Sequence, residues 1–156
     1  MKNWHMYQMR LVVQFFAIIV VYMIGTLLNS MIYMLYLPSI VSTIFLIALI
    51  YSLIFPPSTI EVFAKRITSD LSIGETVYCR HVTLIWVCFL GLNGVAAYYT
   101  ACCASLRLWS LYNGVITYLM MGLLFAVELS YRSWRFRRYA GLPTDFIFKK
   151  LFPPKA

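Results

Sequence analysis

Charged and apolar residues are separated along this chain into long apolar stretches with charged ends. No charged residue occurs between Arg10 and Glu61, a run that is too long for one core helix and long enough for two membrane crossings. Two further apolar stretches follow Arg80 and Arg107. A hydrocarbon core of about 30 Å is crossed by about 20 apolar residues, so the pattern predicts four transmembrane helices. Their expected bounds are residues 11–28, 39–55, 82–101 and 110–129.

The turn between the first two spans has two candidate positions. Asn29 and Ser30 are polar, and the stretch Tyr36-Leu37-Pro38 ends in proline, so each fits a short turn. An overlong, tilted first helix competes with such a hairpin. The second span should end at Pro56-Pro57, because proline cannot donate the backbone hydrogen bond that a helix needs.

The segment between the second and third spans mixes charged and apolar residues. Ile60, Phe63 and Ile67 recur at helical spacing beside the charged Lys65 and Arg66, which is typical of an amphipathic helix lying on a membrane surface. A solvated loop is the alternative interpretation.

Composition and charge place these spans in a membrane and orient them. The chain is 62% hydrophobic and 12% charged, which excludes an ordinary soluble domain. Of its 13 Lys and Arg residues, all except Arg107 fall on one side of the predicted spans. Basic residues accumulate on the cytoplasmic side. We therefore expect a multi-pass protein of the bacterial inner membrane with both termini in the cytoplasm.

The predicted fold is an all-α membrane protein, a four-helix transmembrane bundle over residues 1–130 with an amphipathic cytoplasmic loop. Residues 131–156 form a cytoplasmic tail in which aromatic and basic residues alternate. The net charge of +8 could indicate nucleic acid, but aromatic and basic residues directly after a transmembrane helix are typical of contact with anionic headgroups. We expect membrane lipids as partners and no nucleic acid.

Polar residues also lie inside the predicted spans. Asn113, Thr117 and Glu128 recur at helical spacing and should share one face of the fourth span. On the third span, Asn93 lies beside small residues that permit the close approach of another helix. We interpret these polar residues as contacts between helices, with a ligand site as the alternative.

Glu128 requires a partner at its depth. Antiparallel third and fourth spans place it beside Thr83 and within a turn of Arg80. We expect an ion pair with Arg80, with Arg132 four residues further along, or with His81. The functional alternative is a proton-relay or substrate-binding role for Glu128.

The sequence offers no recognisable catalytic or metal-binding motif. Cys79, His81 and Glu75 match the spacing of no standard metal site, and the four cysteines lack the spacing of a redox pair. Nucleophile elbows, phosphate-binding glycine loops and paired carboxylates within a span are absent from the sequence. We therefore expect no catalytic residue, no metal and no cofactor.

Several stretches over residues 60–130, about half of the chain, carry a resemblance to a known family. They are Val62-Phe63-Ala64-Lys65-Arg66, Tyr78-Cys79-Arg80-His81-Val82-Thr83 with Trp86 and Phe89, Leu92-Asn93-Gly94, Trp109-Ser110-Leu111-Tyr112-Asn113-Gly114, and Tyr118-Leu119-Met120-Met121-Gly122-Leu123-Leu124-Phe125-Ala126 with Glu128. In this order they resemble the small bacterial inner-membrane proteins encoded in aryl-polyene and xanthomonadin-type pigment biosynthesis clusters. The resemblance implies neighbouring genes that make and export a polyene fatty acyl chain on acyl carrier proteins.

The favoured hypothesis is a non-catalytic accessory or scaffold protein in the biosynthesis of a polyene lipid. Its docking surfaces would be the loop around Lys65 and Arg66 and the tail around Arg135, Arg137 and Arg138, which suit acidic acyl carrier proteins, other proteins of the cluster or lipid headgroups.

Two other functions remain open. A lipid transporter or flippase component would use Asn93, Asn113 and Glu128 along a polar path, and its four spans would require a homo-oligomer or a partner. A membrane acyl- or glycosyl-transfer enzyme would use Glu128 or His81 as a base.

Overall fold

The structure, a computed structural model, describes residues 31–67 and 71–136, with the single positions Phe16, Ile19, Val20, Met23 and Lys150. This part of the chain contains helices and short connections, and no strand. The helices are α1 (Met31–Ile54), α2 (Thr59–Ile67), α3 (Ile73–Cys103), α4 (Leu106–Leu111) and α5 (Thr117–Phe136), with a π-helical turn (Tyr112–Ile116) between the last two.

Three of the described helical stretches are long and apolar enough to cross a membrane. They are Ile32–Ile54, Ile73–Cys103 and Leu106–Phe136, the last of which combines α4, the π-helical turn and α5. An all-helical fold with helices long and apolar enough to span a membrane is thus confirmed for the described residues. The predicted first span, residues 11–28, lies outside them apart from four single positions, which are helical.

The first described helix, α1, is longer than the predicted second span. It begins at Met31 and ends at Ile54, so a turn at Tyr36-Leu37-Pro38 is wrong. Pro38 lies inside the helix, where it removes one backbone donor without ending the helix. Transmembrane helices tolerate such prolines because neighbouring groups satisfy the freed carbonyl. The helix stops two residues before Pro56, as the proline pair predicts.

The third helix, α3, begins nine residues before the predicted start at Val82. Its N-cap is Ser72, whose hydroxyl accepts a hydrogen bond from the Glu75 amide at 3.3 Å, while the Glu75 carboxylate accepts one from the Ser72 amide at 2.8 Å. This reciprocal capping box satisfies two amides that would otherwise lack partners. Residues 73–81 are therefore helical, and a solvated loop is wrong for them.

The last span continues past its predicted end at Leu129 to Phe136. Ser105 begins it by accepting a hydrogen bond from the Leu108 amide. Residues 131–136, which were expected to start the tail, continue the helix without a break. The remainder of the tail, including Arg137 and Arg138, lies outside the described residues except for Lys150.

The closest packing joins α1 to α3 along most of their lengths. Gly94 lies at this contact, where a Cβ atom would already be in van der Waals contact with the Ser42 Cβ at 3.4 Å, so a larger side chain would have to push the helices apart. The short helix α2 packs against α3 through Glu61 and Ala64, both of which are buried. Its Phe63 remains exposed, as expected for an amphipathic helix at a membrane surface.

The α3 and α5 helices run antiparallel and meet through side chains. Tyr78 stacks on Tyr131 with ring centroids 5.6 Å apart, and Trp86 contacts Phe125 at 4.6 Å. This register places Glu128 at the depth of Thr83, as predicted. Most of the apolar surface of the last span faces outward, where a bilayer would cover it.

Candidate functional site

Asn93 is the centre of a hydrogen-bonded polar group between three helices. Its Nδ2 atom donates to the Ser42 Oγ atom of α1 at 3.2 Å. Its Oδ1 atom accepts from the Tyr112 hydroxyl and from the Thr117 hydroxyl, each at 3.1 Å. One amide therefore connects α1, α3 and the beginning of α5. Asn93, Ser42 and Thr117 are all buried.

A second amide extends this group toward the end of α3. The Asn113 Nδ2 atom donates to the Thr100 hydroxyl at 3.3 Å and to the Trp109 carbonyl at 3.0 Å. The Asn113 Oδ1 atom is buried and has no hydrogen-bond partner among the described residues. We name these six residues the mid-depth cluster: Ser42, Asn93, Thr100, Tyr112, Asn113 and Thr117.

The π-helical turn places two members of the mid-depth cluster. The wider turn over Tyr112–Ile116 accompanies contacts from both side chains to α3. Single π-helical turns of this kind often occur at functional sites.

The position of the cluster explains why its members bond to one another. The charge-free part of α3 extends from Val82 into the Ser105 connection, and Asn93 lies about 16 Å from Val82 along the helix axis. Asn93 is therefore near the middle of a hydrocarbon core about 30 Å thick. Polar groups there have no water to bond, so unpaired ones are costly.

The chemistry available to the mid-depth cluster is that of neutral amides and hydroxyls. These groups can hold helices in one relative orientation and can bind other hydrogen-bonding groups, but they do not exchange protons near neutral pH. Three of the four predicted intramembrane residues, Asn93, Asn113 and Thr117, are members. The fourth, Glu128, lies three turns further along α5.

Glu128 is half-buried on the same face of α5 as Thr117. The Tyr78 hydroxyl donates to its backbone carbonyl at 3.4 Å, and Arg132 lies one turn further along the same helix. Arg80, the other predicted partner, instead donates to the Leu53 carbonyl at 3.3 Å. The structure does not bring Arg80 to Glu128.

His81 was a further candidate partner for Glu128. Its Nδ1 atom lies 2.9 Å from the Val77 carbonyl one turn back on the same helix, and the side chain is exposed. The ring nitrogen nearest the backbone is therefore engaged with its own helix. This geometry provides no contact between His81 and Glu128.

Basic residues gather at one end of the bundle, which we name the basic end. The ends of α1 and α5 meet the beginning of α3 there, as the contacts of Arg80 with Leu53 and of Tyr78 with Tyr131 show. Within residues 31–67 and 71–136, this end carries Lys65, Arg66, Arg80, Arg132 and Arg135. The opposite end of the described helices carries Arg107.

Local contacts hold several of these cations in place. The Lys65 ammonium pairs with the Glu61 carboxylate at 2.6 Å, one turn back on α2. The Arg66 guanidinium lies 5.9 Å from the centre of the Phe63 ring, within the range of a cation–π contact. Lys65, Arg66 and Arg135 are all exposed, so a partner can reach them.

Cysteines and acidic residues form no metal site in the described part of the chain, which contains no group of three or more His, Cys, Asp or Glu side chains placed to hold an ion. The four cysteines are free thiols. Cys79 is buried, whereas Cys102 and Cys103 are exposed at the end that carries Arg107.

Three members of the mid-depth cluster were missed from the sequence: Ser42, Thr100 and Tyr112. Tyr112 lies near the beginning of the predicted fourth span, where aromatic rings commonly anchor at the interface, and Ser42 and Thr100 resemble the small polar residues of any transmembrane helix. The capping box was a readable feature, since Ser72 and Glu75 have its spacing directly before an apolar run.

Comparisons with protein-family models, curated proteins and solved structures found no match.

Proposed function

We propose that this chain is a non-catalytic scaffold protein of the bacterial inner membrane, which holds the soluble enzymes of an acyl-lipid pathway at the membrane surface. Its basic end faces the cytoplasm and docks acidic acyl carrier proteins or anionic headgroups. The resemblance to membrane proteins of aryl-polyene clusters supports a polyene fatty acyl chain as the product of that pathway.

The observation that carries this proposal is that the charged and the neutral polar residues lie in different parts of the bundle. Neutral polar side chains inside the bundle bond to one another, which suits a structural role. Exposed cations gather at one end, beside the amphipathic helix α2. Clustered basic residues at a membrane surface attract acidic proteins and anionic lipids.

The finer topology belongs to the same proposal. Residues 11–28 supply a fourth span before α1, and both termini lie in the cytoplasm with the basic end. The excess of basic residues at one end supports this orientation, because basic residues accumulate on the cytoplasmic side.

Thiol labelling tests the orientation. Cys102 and Cys103 are exposed at the end with Arg107, so a membrane-impermeant maleimide added to intact spheroplasts should modify them. Cys102→Ser/Cys103→Ser protein is the control and should stay unmodified. Protection in spheroplasts, with labelling only in inside-out vesicles, would mean that the orientation is reversed.

A genetic experiment tests the scaffold function. The gene is deleted and restored either as the wild type or with Arg135, Arg137 and Arg138 changed to Glu, and polyene lipid is quantified in separated inner and outer membranes. We expect the triple variant to reach wild-type abundance but to restore little polyene. The matched control is Arg107→Glu, at the opposite end, which should restore it fully. Full restoration by the triple variant would contradict docking through the tail.

A lipid transporter or flippase component is the second candidate. The observation that favours it is that Asn113, Thr117 and Glu128 lie on the less exposed face of the last span, where the Asn113 Oδ1 atom is buried without a partner in the described residues. In this case Glu128→Gln should leave synthesis intact and trap finished polyene lipid in the inner membrane. Normal export by that variant would remove the support for transport.

A further inference from the structure

A cavity of about 230 Å³ lies between α1 and α3 and opens on their lateral surface. It is lined by Ser39, Thr43, Leu46, Leu90, Gly91, Gly94, Val95 and Tyr98. Gly91 and Gly94 form its floor, because neither contributes a side chain to fill the space. Thr43, Val95 and Tyr98 are exposed at its opening. We name this cavity the lateral groove.

The walls of the lateral groove are apolar despite their hydroxyl groups. The Ser39 hydroxyl donates to the Gly94 carbonyl at 3.0 Å, and the Thr43 hydroxyl donates to the Ser39 carbonyl at 2.9 Å. Both hydroxyl protons are thus engaged with the backbone. The side-chain surface that lines the groove therefore consists mainly of methyl and methylene groups, which favour an apolar occupant over water.

The long axis of the lateral groove follows the helices. From Tyr98 to Leu90 it extends over eight residues of α3, or about 12 Å, compared with about 15 Å for the hydrocarbon of one leaflet. Its inner end lies near the depth of Asn93, and its outer end lies toward Arg107. The groove therefore runs beside the acyl chains of the leaflet at the end that carries Arg107.

The outer end of the groove has the polar and aromatic character of a headgroup region. The Tyr36 and Tyr98 ring centroids are 5.7 Å apart, and the Tyr36 hydroxyl lies 3.3 Å from the Cys102 Sγ atom. The Trp109 indole donates to the Leu35 carbonyl at 2.9 Å, which holds the chain near Arg107 against the beginning of α1. Arg107 is exposed, and its positive charge complements a lipid phosphate.

We propose that the lateral groove binds one acyl chain of a phospholipid from this leaflet, with the phosphate toward Arg107. The groove is smaller than the ~300–1,000 Å³ of pockets that hold drug-sized ligands, so it suits a section of one unbranched chain. This binding site does not depend on the scaffold function, because it lies in the membrane away from the basic end.

Photolabelling tests the proposal. The purified full-length protein is reconstituted in nanodiscs that contain phosphatidylglycerol with a diazirine at the middle of one acyl chain, and labelled residues are mapped by mass spectrometry. We expect labels to concentrate on Leu46, Leu90 and Val95. Gly91→Leu should fill the groove, because a Cβ atom at Gly91 would meet its nearest neighbour, the Leu46 Cδ1 atom, only at 4.0 Å. This variant should lower the labelling of the groove by about tenfold.

The matched control is Gly122→Leu on α5, where a Cβ atom would meet nothing within 4 Å; labelling of the groove should be unchanged. If Gly91→Leu fails to fold, Thr43→Phe fills the same space from the exposed rim. Equal labelling of the groove and of the outer face of α5, or unchanged labelling in the filled variant, would overturn the proposal. Unchanged labelling in Arg107→Gln would overturn the position assigned to the phosphate.

Discussion

The mid-depth cluster and the basic end use polar residues in opposite ways. Asn93 bonds to Ser42, Tyr112 and Thr117 in the middle of the bundle, where no water is available. The cations Lys65, Arg66 and Arg135 are exposed at the basic end. Polar side chains at mid-depth therefore hold the helices together, whereas the cations at the basic end present their charge at the surface of the molecule.

The largest effect on stability should come from Asn93→Leu. The substitution removes three interhelical hydrogen bonds and leaves their partners in the hydrocarbon, which should lower the free energy of unfolding by about 1–3 kcal/mol. Thermal unfolding in detergent measures the loss. Leu92→Ala, at a neighbouring exposed position, is the control and should change little. An unchanged melting temperature in Asn93→Leu would show that the cluster does not hold the bundle.

Tyr78→Ala should have the next largest effect, because Tyr78 joins α3 to the end of α5. It stacks on Tyr131 and meets Phe136 edge-on with ring centroids 5.3 Å apart. Aromatic pairs contribute about 0.5–1.5 kcal/mol each. Because Tyr131 is exposed, we expect a combined loss in the lower part of the summed range, about 1–2 kcal/mol. Tyr78→Phe keeps both ring contacts and loses only the long hydrogen bond to Glu128, so it should stay within about 0.5 kcal/mol of the wild type. Equal losses in the two variants would contradict the role of the rings.

Smaller effects should come from Thr117→Val and Tyr112→Phe, each of which removes one of the two donors to the Asn93 Oδ1 atom. Single interhelical hydrogen bonds in membranes contribute about 0.6 kcal/mol on average. The double variant should lose more than the sum of the singles, because only then is the Asn93 carbonyl left without a donor. Strict additivity in a double-mutant cycle would mean that the two hydroxyls act independently.

The sequence predicts where the described helices lie and which residues share a helix face, because both can be read from the spacing of apolar and charged residues close together in the chain. Apolar runs located the described spans, and helical spacing placed Asn113, Thr117 and Glu128 on one face of the last span. Antiparallel geometry also gave the depth of Glu128 relative to Thr83. Each of these inferences requires only a helix and a membrane.

Helix ends and partner choice depend on tertiary contacts, so they were predicted less well. Pro38 is a helix breaker in water but lies within α1. The bond from Asn93 to Ser42 requires a particular rotation of α1 against α3, and Tyr112 makes its contact from within a π-helical turn. Neither feature can be read from the pattern of polar and apolar positions in the sequence.

Reversing the charges of Arg135, Arg137 and Arg138 should have the smallest effect on stability, because Arg135 is exposed and exposed charges contribute little to folding. The same change tests docking most directly, through the binding of an acidic acyl carrier protein to full-length protein in nanodiscs of neutral lipid. We expect the triple Glu variant to keep its melting temperature and to bind the carrier protein about tenfold more weakly, a loss of about 1.4 kcal/mol. Arg107→Glu should bind it as tightly as the wild type. Equal binding by the wild type and the triple variant would contradict docking through Arg135 and the tail.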